Sequence, residues 1–336
     1  MAKVSCRKAI CARILELARQ DPRIWAVCTD SRGSVTIGAM AEELPEQFVE
    51  LGIAEQNAVA VAAGLALTGK TVFACGPACF LAARAYEQVK VDVAYNCTDV
   101  KIIGVSAGVS YGPLGCTHTS LHDFASMRSL PNLEVIAPSD AVQARAVADY
   151  LVSHHGPAYV RMGRGDVEAV YGENESFEMG KVKTVREGTD VTLIACGEMV
   201  WHAKEAAFLL EREGISARVL DFFFLKPADE DAVRRAARET GAIVTVEEHS
   251  VNGGLGELVT HTVCAGCPVP VRVLGFPDEE TLVGKSGDLF RHYGLTAEHI
   301  AAAARGVIAQ KEEREHERHS LDRSEHTGHK GACMEF

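Results

Sequence analysis

Glu55 lies in Gly52-Ile53-Ala54-Glu55-Gln56-Asn57 and opens directly into AVAVAAGLALTG, a run so apolar that its helix must be buried. Two chemistries suit a carboxylate there. A first-turn glutamate interacts favourably with the helix dipole, by ~0.3–1 kcal/mol. A desolvated carboxyl is also pushed toward neutral pH, where it exchanges a proton with a ligand. The helix alone favours the first. Other reactive side chains are less specific. Cys264-Ala265-Gly266-Cys267 is the one CxxC, and without a second pair it reads as two small buried side chains. His316, His319, His326 and His329 lie in a polar tail, where solvation is a better account than metal binding.

The elements that must position Glu55 form a regular alternation. Short β-branched runs at 24–28, 71–75, 101–105, 134–136 and 158–161 are separated by helical patterns at 54–68, 80–95, 122–129 and 141–153. That order predicts an α/β fold with a mostly parallel sheet covered on both faces. Glycines among acidic and polar residues mark a linker over 166–189. A second alternation follows, with strands at 191–196, 217–220, 243–247 and 271–274 and a last helix at 297–309. The predicted organisation is a first α/β domain over 1–165, the linker, a second α/β domain over 190–310 and a disordered charged tail over 311–336.

Composition narrows the partners. The chain has 336 residues, 47% of them hydrophobic, and a formal net charge of -12. The acidic balance argues against nucleic acid and anionic membrane surfaces. No apolar run reaches the roughly 20 residues of a membrane span. The start, MAKVSCRKAICARILELARQ, shows no secretory signal. Eleven cysteines scattered through apolar stretches point to a reducing cytoplasm.

Several blocks then resemble one family. GIAEQNAVAVAAGLALTG, FLAARAYEQVKVDVAYN and THxxxxDFASMRSLPNLEVIAPSD closely resemble the pyrimidine-binding domain of transketolases. VEEHSVNGGLGE and KSGDLFRHYGLTAEHI resemble the family's C-terminal domain. The likeness runs from about Arg7 to about Ile308. It implies a thiamine-diphosphate-binding pyrimidine-type fold followed by a transketolase C-terminal-type α/β domain. It also implies that Glu55 hydrogen-bonds the cofactor's aminopyrimidine and so promotes loss of the thiazolium C2 proton. The cofactor performs the carbon chemistry, passing a two-carbon unit from a ketose phosphate to an aldose. Phe80 matches the aromatic that stacks on the pyrimidine, and Asp30 an aspartate near the thiazolium. Arg7 in RKAICARI, Ser34 in DSRGS, His118 in CTHT and Arg161 in YVRMGR match contacts to substrate phosphate and hydroxyls.

The departures matter as much. Ser106 and Leu114 stand where the family usually has a histidine and an aspartate on sugar hydroxyls. Thr119 and His122 replace a glutamine and an acidic residue, and Pro77 an aromatic. A site built to bind a hydroxyl rejects analogues lacking it, so these changes predict a deoxy-, branched or otherwise modified sugar phosphate as substrate. The family's GDG and downstream asparagine, which hold Mg²⁺ and the diphosphate, are missing; Ser286-Gly287-Asp288 lies in the second domain. A partner chain, the GDG-containing N-terminal transketolase subunit, is therefore expected to supply that site in an α2β2 assembly. The alternatives are the β subunit of a 2-oxoacid dehydrogenase E1 component, deoxyxylulose-phosphate synthase (normally one long chain) and a non-catalytic scaffold. GIAEQN, the phosphate-binding set and the TH motif favour transketolase.

Overall fold

Largely apolar runs such as Val72-Phe73-Ala74-Cys75 and Val100 through Val105, the latter broken by Lys101 and Gly104, suit strands buried on both faces. In the computed structural model, which describes residues 3–327 and side chains as far as 317, they form the middle of a parallel sheet. That sheet comprises β1 (Ile24–Cys28), β2 (Phe48–Glu50), β3 (Thr71–Pro77), β4 (Val100–Val105), β5 (Glu134–Ile136) and β6 (Ala158–Met162), in the order β5-β6-β4-β3-β1-β2. The second sheet comprises β7 (Lys183–Arg186), β8 (Val191–Ala195), β9 (Ala217–Asp221), β11 (Ile243–Ser250) and β12 (Val271–Phe276), in the order β12-β11-β8-β9-β7. Between them in sequence, β10 (Phe224–Lys226) leaves its own domain and pairs antiparallel with β5.

Side-chain caps start the flanking helices. Ser5 accepts the Lys8 N–H at 3.3 Å before helix Cys6–Ala18, and Asp140 accepts that of Gln143 at 2.9 Å before Ala141–Ser153. Lys101 is fully buried in β4, where its ammonium pairs with Asp99 at 2.8 Å and donates to the carbonyls of His154 and Gly156. The turn into β8 is as tight: a Cβ on Gly188 would lie 2.2 Å from the Ala217 carbonyl carbon. Gly188→Ala is therefore expected to destabilise the chain by about 1–3 kcal/mol, since backbone cannot move aside cheaply. An unchanged thermal midpoint would contradict that packing.

Four expectations need correction. The stretch 166–189 is not a free linker: Val167 bridges to Val4, Val170 and Tyr171 are buried, and β7 joins the second sheet antiparallel to β9. Gly180 turns with φ +77° between Met179 and Val182, both packed on the cores. The single helix over 80–95 is three pieces, Ala78–Ala83, Tyr86–Gln88 and a wide-turn helix Val89–Tyr95, in which valines at 89, 91 and 93 crowd the ordinary α turn. Over 311–327 the tail is helical rather than disordered, because Ala297–Thr327 continues past its buried anchors Ile300, Ala301, Ala304 and Val307. Beyond Gly306 that helix holds neither glycine nor proline and is rich in Glu, Lys, Gln and Arg, so it propagates. His329 and the rest of 328–336 lie outside the described residues. Finally, Cys264 is exposed and Cys267 half-buried.

Candidate active site

β1 has β2 on one side and β3 on the other, so the chain reverses direction across the sheet there, and crevices at such points lie beyond the carboxyl ends of the strands. Asp30 leaves β1 with φ +43° and donates its N–H to Glu50 Oε1 at 2.6 Å. Glu50 also pairs with Arg32 at 3.0 Å. Glu55 begins helix Glu55–Ala66 after β2 and is only 2% exposed. Its Oε2 accepts from Arg84 Nη1 at 2.7 Å. The Arg84 guanidinium also lies over the half-buried Phe80 ring, 4.7 Å from its centroid.

From Phe80 the contacts continue without a break. His118 meets Phe80 edge to face at 5.4 Å and Tyr111 at 5.7 Å. The guanidinium of Arg164 lies 4.8 Å from the Tyr111 centroid. Arg7 donates from Nε to the Arg164 carbonyl at 2.9 Å and from Nη1 to the Ser34 carbonyl. Burial, and then the charge of Arg164, lower the pKa of Arg7. Arg7 and Arg164 thus bring two cationic side chains to this end of the line.

The fold thus joins five of the expected residues, Glu55, Phe80, His118, Arg7 and Ser34, in one line. It adds Arg84, Tyr111 and Arg164, which sequence reasoning passed over. Arg84 carried a readable signal, since it stands four residues after Phe80 and so on the same helical face.

Arg161 is elsewhere, against expectation. It is 5% exposed, its Nε donates to Asp123 Oδ2 at 2.8 Å, and its Nη2 donates to the carbonyls of Ser120 and Glu248. Phe124 packs on its guanidinium at 4.5 Å. Residue 161 lies in a strand covered on both faces, so its charge is spent on a buried carboxylate. Ser106 is likewise interior, with φ +59° and an Oγ that has no protein partner. Leu114 is 55% exposed on the turn Gly112–Leu114, at the rim.

Behind these residues the two domains meet across buried carboxyl groups. Burial pushes Asp221 up to about 7 despite hydrogen bonds from Tyr171, Gln143 and Ser139. It likewise pushes Glu247 up to about 7 despite the N–H groups of Gly256 and Leu255. Glu198 and Glu248 are raised for the same reason. Burial lowers His249 to about 4. Groups of the first kind keep a proton that the unfolded chain has lost, so their stabilisation fades as pH rises through the folded value. His249 acts oppositely, but its effect is complete by its ordinary value of ~6.5. The thermal midpoint should therefore fall by several degrees between pH 6.5 and 8.5, and a flat profile would mean these carboxyls ionise freely.

Ile53, two residues before Glu55, is 78% exposed; Leu67, which closes the same helix, is 75% exposed, and Tyr95, at the end of Val89–Tyr95, 80%. Among the described residues no helix is long and apolar enough to cross a membrane. A buried helix-start glutamate joined through a ring to two arginines, on this pair of sheets, agrees with family models that cover nearly all of the folded chain. Residues 2–169 match the transketolase pyrimidine binding domain, and 180–300 the transketolase C-terminal domain.

The chain belongs to the transketolase family. It is 55% identical over 303 residues to an apulose-4-phosphate transketolase subunit of Phocaeicola vulgatus, covering 90% of this chain and 96% of that one. It is 39% identical to the 6-deoxy-6-sulfo-D-fructose transketolase subunit SqwH of a Clostridium species, covering 89% and 92%. Among solved structures, a split gene transketolase described as an inactive beta4 tetramer superposes with a TM-score of 0.84 at 39% identity, covering 92% of this chain and all of that one. Like those relatives, this chain is a transketolase subunit, and transketolases depend on thiamine diphosphate.

Proposed function

We propose that this chain is the second subunit of a two-chain transketolase whose donor or acceptor is a modified sugar phosphate, with apulose 4-phosphate the first substrate to test. The observation that carries this reading is the unbroken line from Glu55 through Arg84, Phe80, His118 and Tyr111 to Arg164, Arg7 and Ser34. It places a buried carboxyl oxygen and an aromatic face at one end and a cation pair at the other.

The residues at the first end fit an aminopyrimidine. Arg84, a flat hydrogen-bond donor, already makes the two contacts such a ring needs, one to Glu55 and one to the face of Phe80. When bound, thiamine diphosphate supplies the carbon–carbon chemistry. Glu55 would hold a proton at the pyrimidine ring nitrogen, and Phe80 would fix the ring plane. Arg7 and Arg164 would bind the sugar phosphate, with His118 on its hydroxyls. Leu114 at the rim offers no hydrogen bond where the family carries an aspartate, which supports a donor other than the common pentose phosphates.

Mg²⁺ and the diphosphate are assigned to a GDG-containing N-terminal subunit in a cytoplasmic α2β2 enzyme. The exposed large hydrophobic side chains Ile53, Leu67 and Tyr95 support such a partner. Co-expression with that subunit should yield a complex that binds the cofactor, and this chain alone should give no turnover. The complex should prefer apulose 4-phosphate over xylulose 5-phosphate by at least about 100-fold in kcat/KM. Rates on xylulose 5-phosphate equal to those of an ordinary transketolase would refute the substrate reading.

A further inference from the structure

The loop from Ser106 to Thr119 departs most from the family pattern, and it carries Tyr111, Leu114 and His118. Its base is tied to its own domain, where Gly108 and Ser120 exchange backbone hydrogen bonds. Its middle is held by the other domain. The Val109 N–H donates to Glu248 Oε1 at 2.8 Å, and the Val109 carbonyl accepts from Ser286 Oγ at 3.1 Å. The Gly112 carbonyl accepts from the Gly284 N–H at 3.3 Å.

Two glycines make this approach possible. A Cβ on Gly108, whose φ is +59°, would lie 2.2 Å from the Glu248 carboxyl carbon. A Cβ on Gly112 would lie 2.2 Å from the Gly284 carbonyl oxygen. A third close approach involves Glu198, also of the second domain. Its carboxyl fills the space beside Gly163, where a Cβ would come within 1.6 Å of Oε1. Gly163 is the residue directly before Arg164. The charge of Glu198 is in turn felt by Glu248. Buried Glu248 and half-buried Glu198 thus touch the loop bearing His118 and the segment bearing Arg164.

We propose that Glu248 is a positioning residue for substrate: through the Val109 N–H it sets the placement of the 106–119 loop, and with it the placement of Tyr111 and His118. The C-terminal domain then takes part in choosing the sugar without touching it. The inference rests on the transketolase reading above.

The test uses the two-chain complex loaded with cofactor. Three quantities are compared in wild type, Glu248→Ala, Glu248→Gln and Gly108→Ala. They are hydrogen exchange of the 107–115 peptide, kcat and KM for apulose 4-phosphate or xylulose 5-phosphate, and thiamine diphosphate affinity. Glutamine keeps an acceptor oxygen at the same reach and should behave as wild type. Alanine at 248 should speed exchange of the loop peptide about tenfold or more and raise KM by a similar factor, with kcat and cofactor affinity within about threefold. Gly108→Ala should reproduce that pattern with Glu248 in place, which keeps the test open if Glu248→Ala does not fold. Unchanged loop exchange, unchanged KM, a Gln variant as impaired as Ala, or a parallel loss of cofactor binding would each overturn the proposal. A wild-type complex that turns over neither sugar phosphate sinks the functional reading. The exchange rates, which need no turnover, still support or overturn the anchor.

Discussion

Glu55→Gln in the two-chain complex should lower turnover by about 10²- to 10⁴-fold, the usual contribution of a positioned proton-transfer group. Glutamine matches the side chain in size and keeps an acceptor for Arg84, so the buried start of helix Glu55–Ala66 loses little packing. What it loses is the ability to exchange a proton with a ring nitrogen. Cofactor binding and thermal midpoint should therefore move far less than kcat. Steady-state rates measured beside thiamine diphosphate affinity separate the two. Turnover within tenfold of wild type would mean that Glu55 is only a helix-start carboxylate and that the chain serves as a scaffold.

The second large effect is on stability. Arg161→Met should destabilise the folded chain by about 3–5 kcal/mol, the range for removing one partner of a buried ion pair. Asp123 is fully buried, and without Arg161 its Oδ2 keeps only the Tyr159 hydroxyl, at 2.8 Å. The Glu248 carbonyl loses the Arg161 donor in the same step, while that of Ser120 keeps only the Gly108 N–H. Replacing Asp123 by leucine in the same chain should recover part of the loss, since no uncompensated charge then remains. Denaturant midpoints for the two single variants and the double variant measure this. A stable Arg161→Met chain with a raised KM for sugar phosphate would return Arg161 to the substrate pocket, where the family resemblance had put it.

That misplacement shows where the sequence stops being readable. RMGR offers two arginines three residues apart, and where β6 ends decides which one leaves the sheet toward Arg7. Arg161 ends inside the sheet, paired with Asp123, and Arg164 emerges past Gly163 beside Arg7. For Arg84 only the spacing to Phe80 is local; its carboxylate partner Glu55 is 29 residues earlier, so the pair itself was hidden. By contrast Glu55, Phe80 and His118 each lie in a motif whose spacing is local, and the parallel strands announce themselves as short, mostly apolar runs. β7 and β10 are short, and their partners are far away in the chain, so no window of sequence contains the reason for them.

β10 carries a consequence of its own. The outer strand of the first sheet, β5, is closed off by three residues that belong to the second domain, with the Phe223 carbonyl accepting from the Ala137 N–H at 2.7 Å. A gene cut anywhere between residues 166 and 189 would therefore give two fragments with sticky margins, one a bare β5 and the other an orphan ribbon led by Phe222, Phe223 and Phe224. The two modules cannot be shuffled as separate cassettes. In this chain the smallest heritable part is the pair.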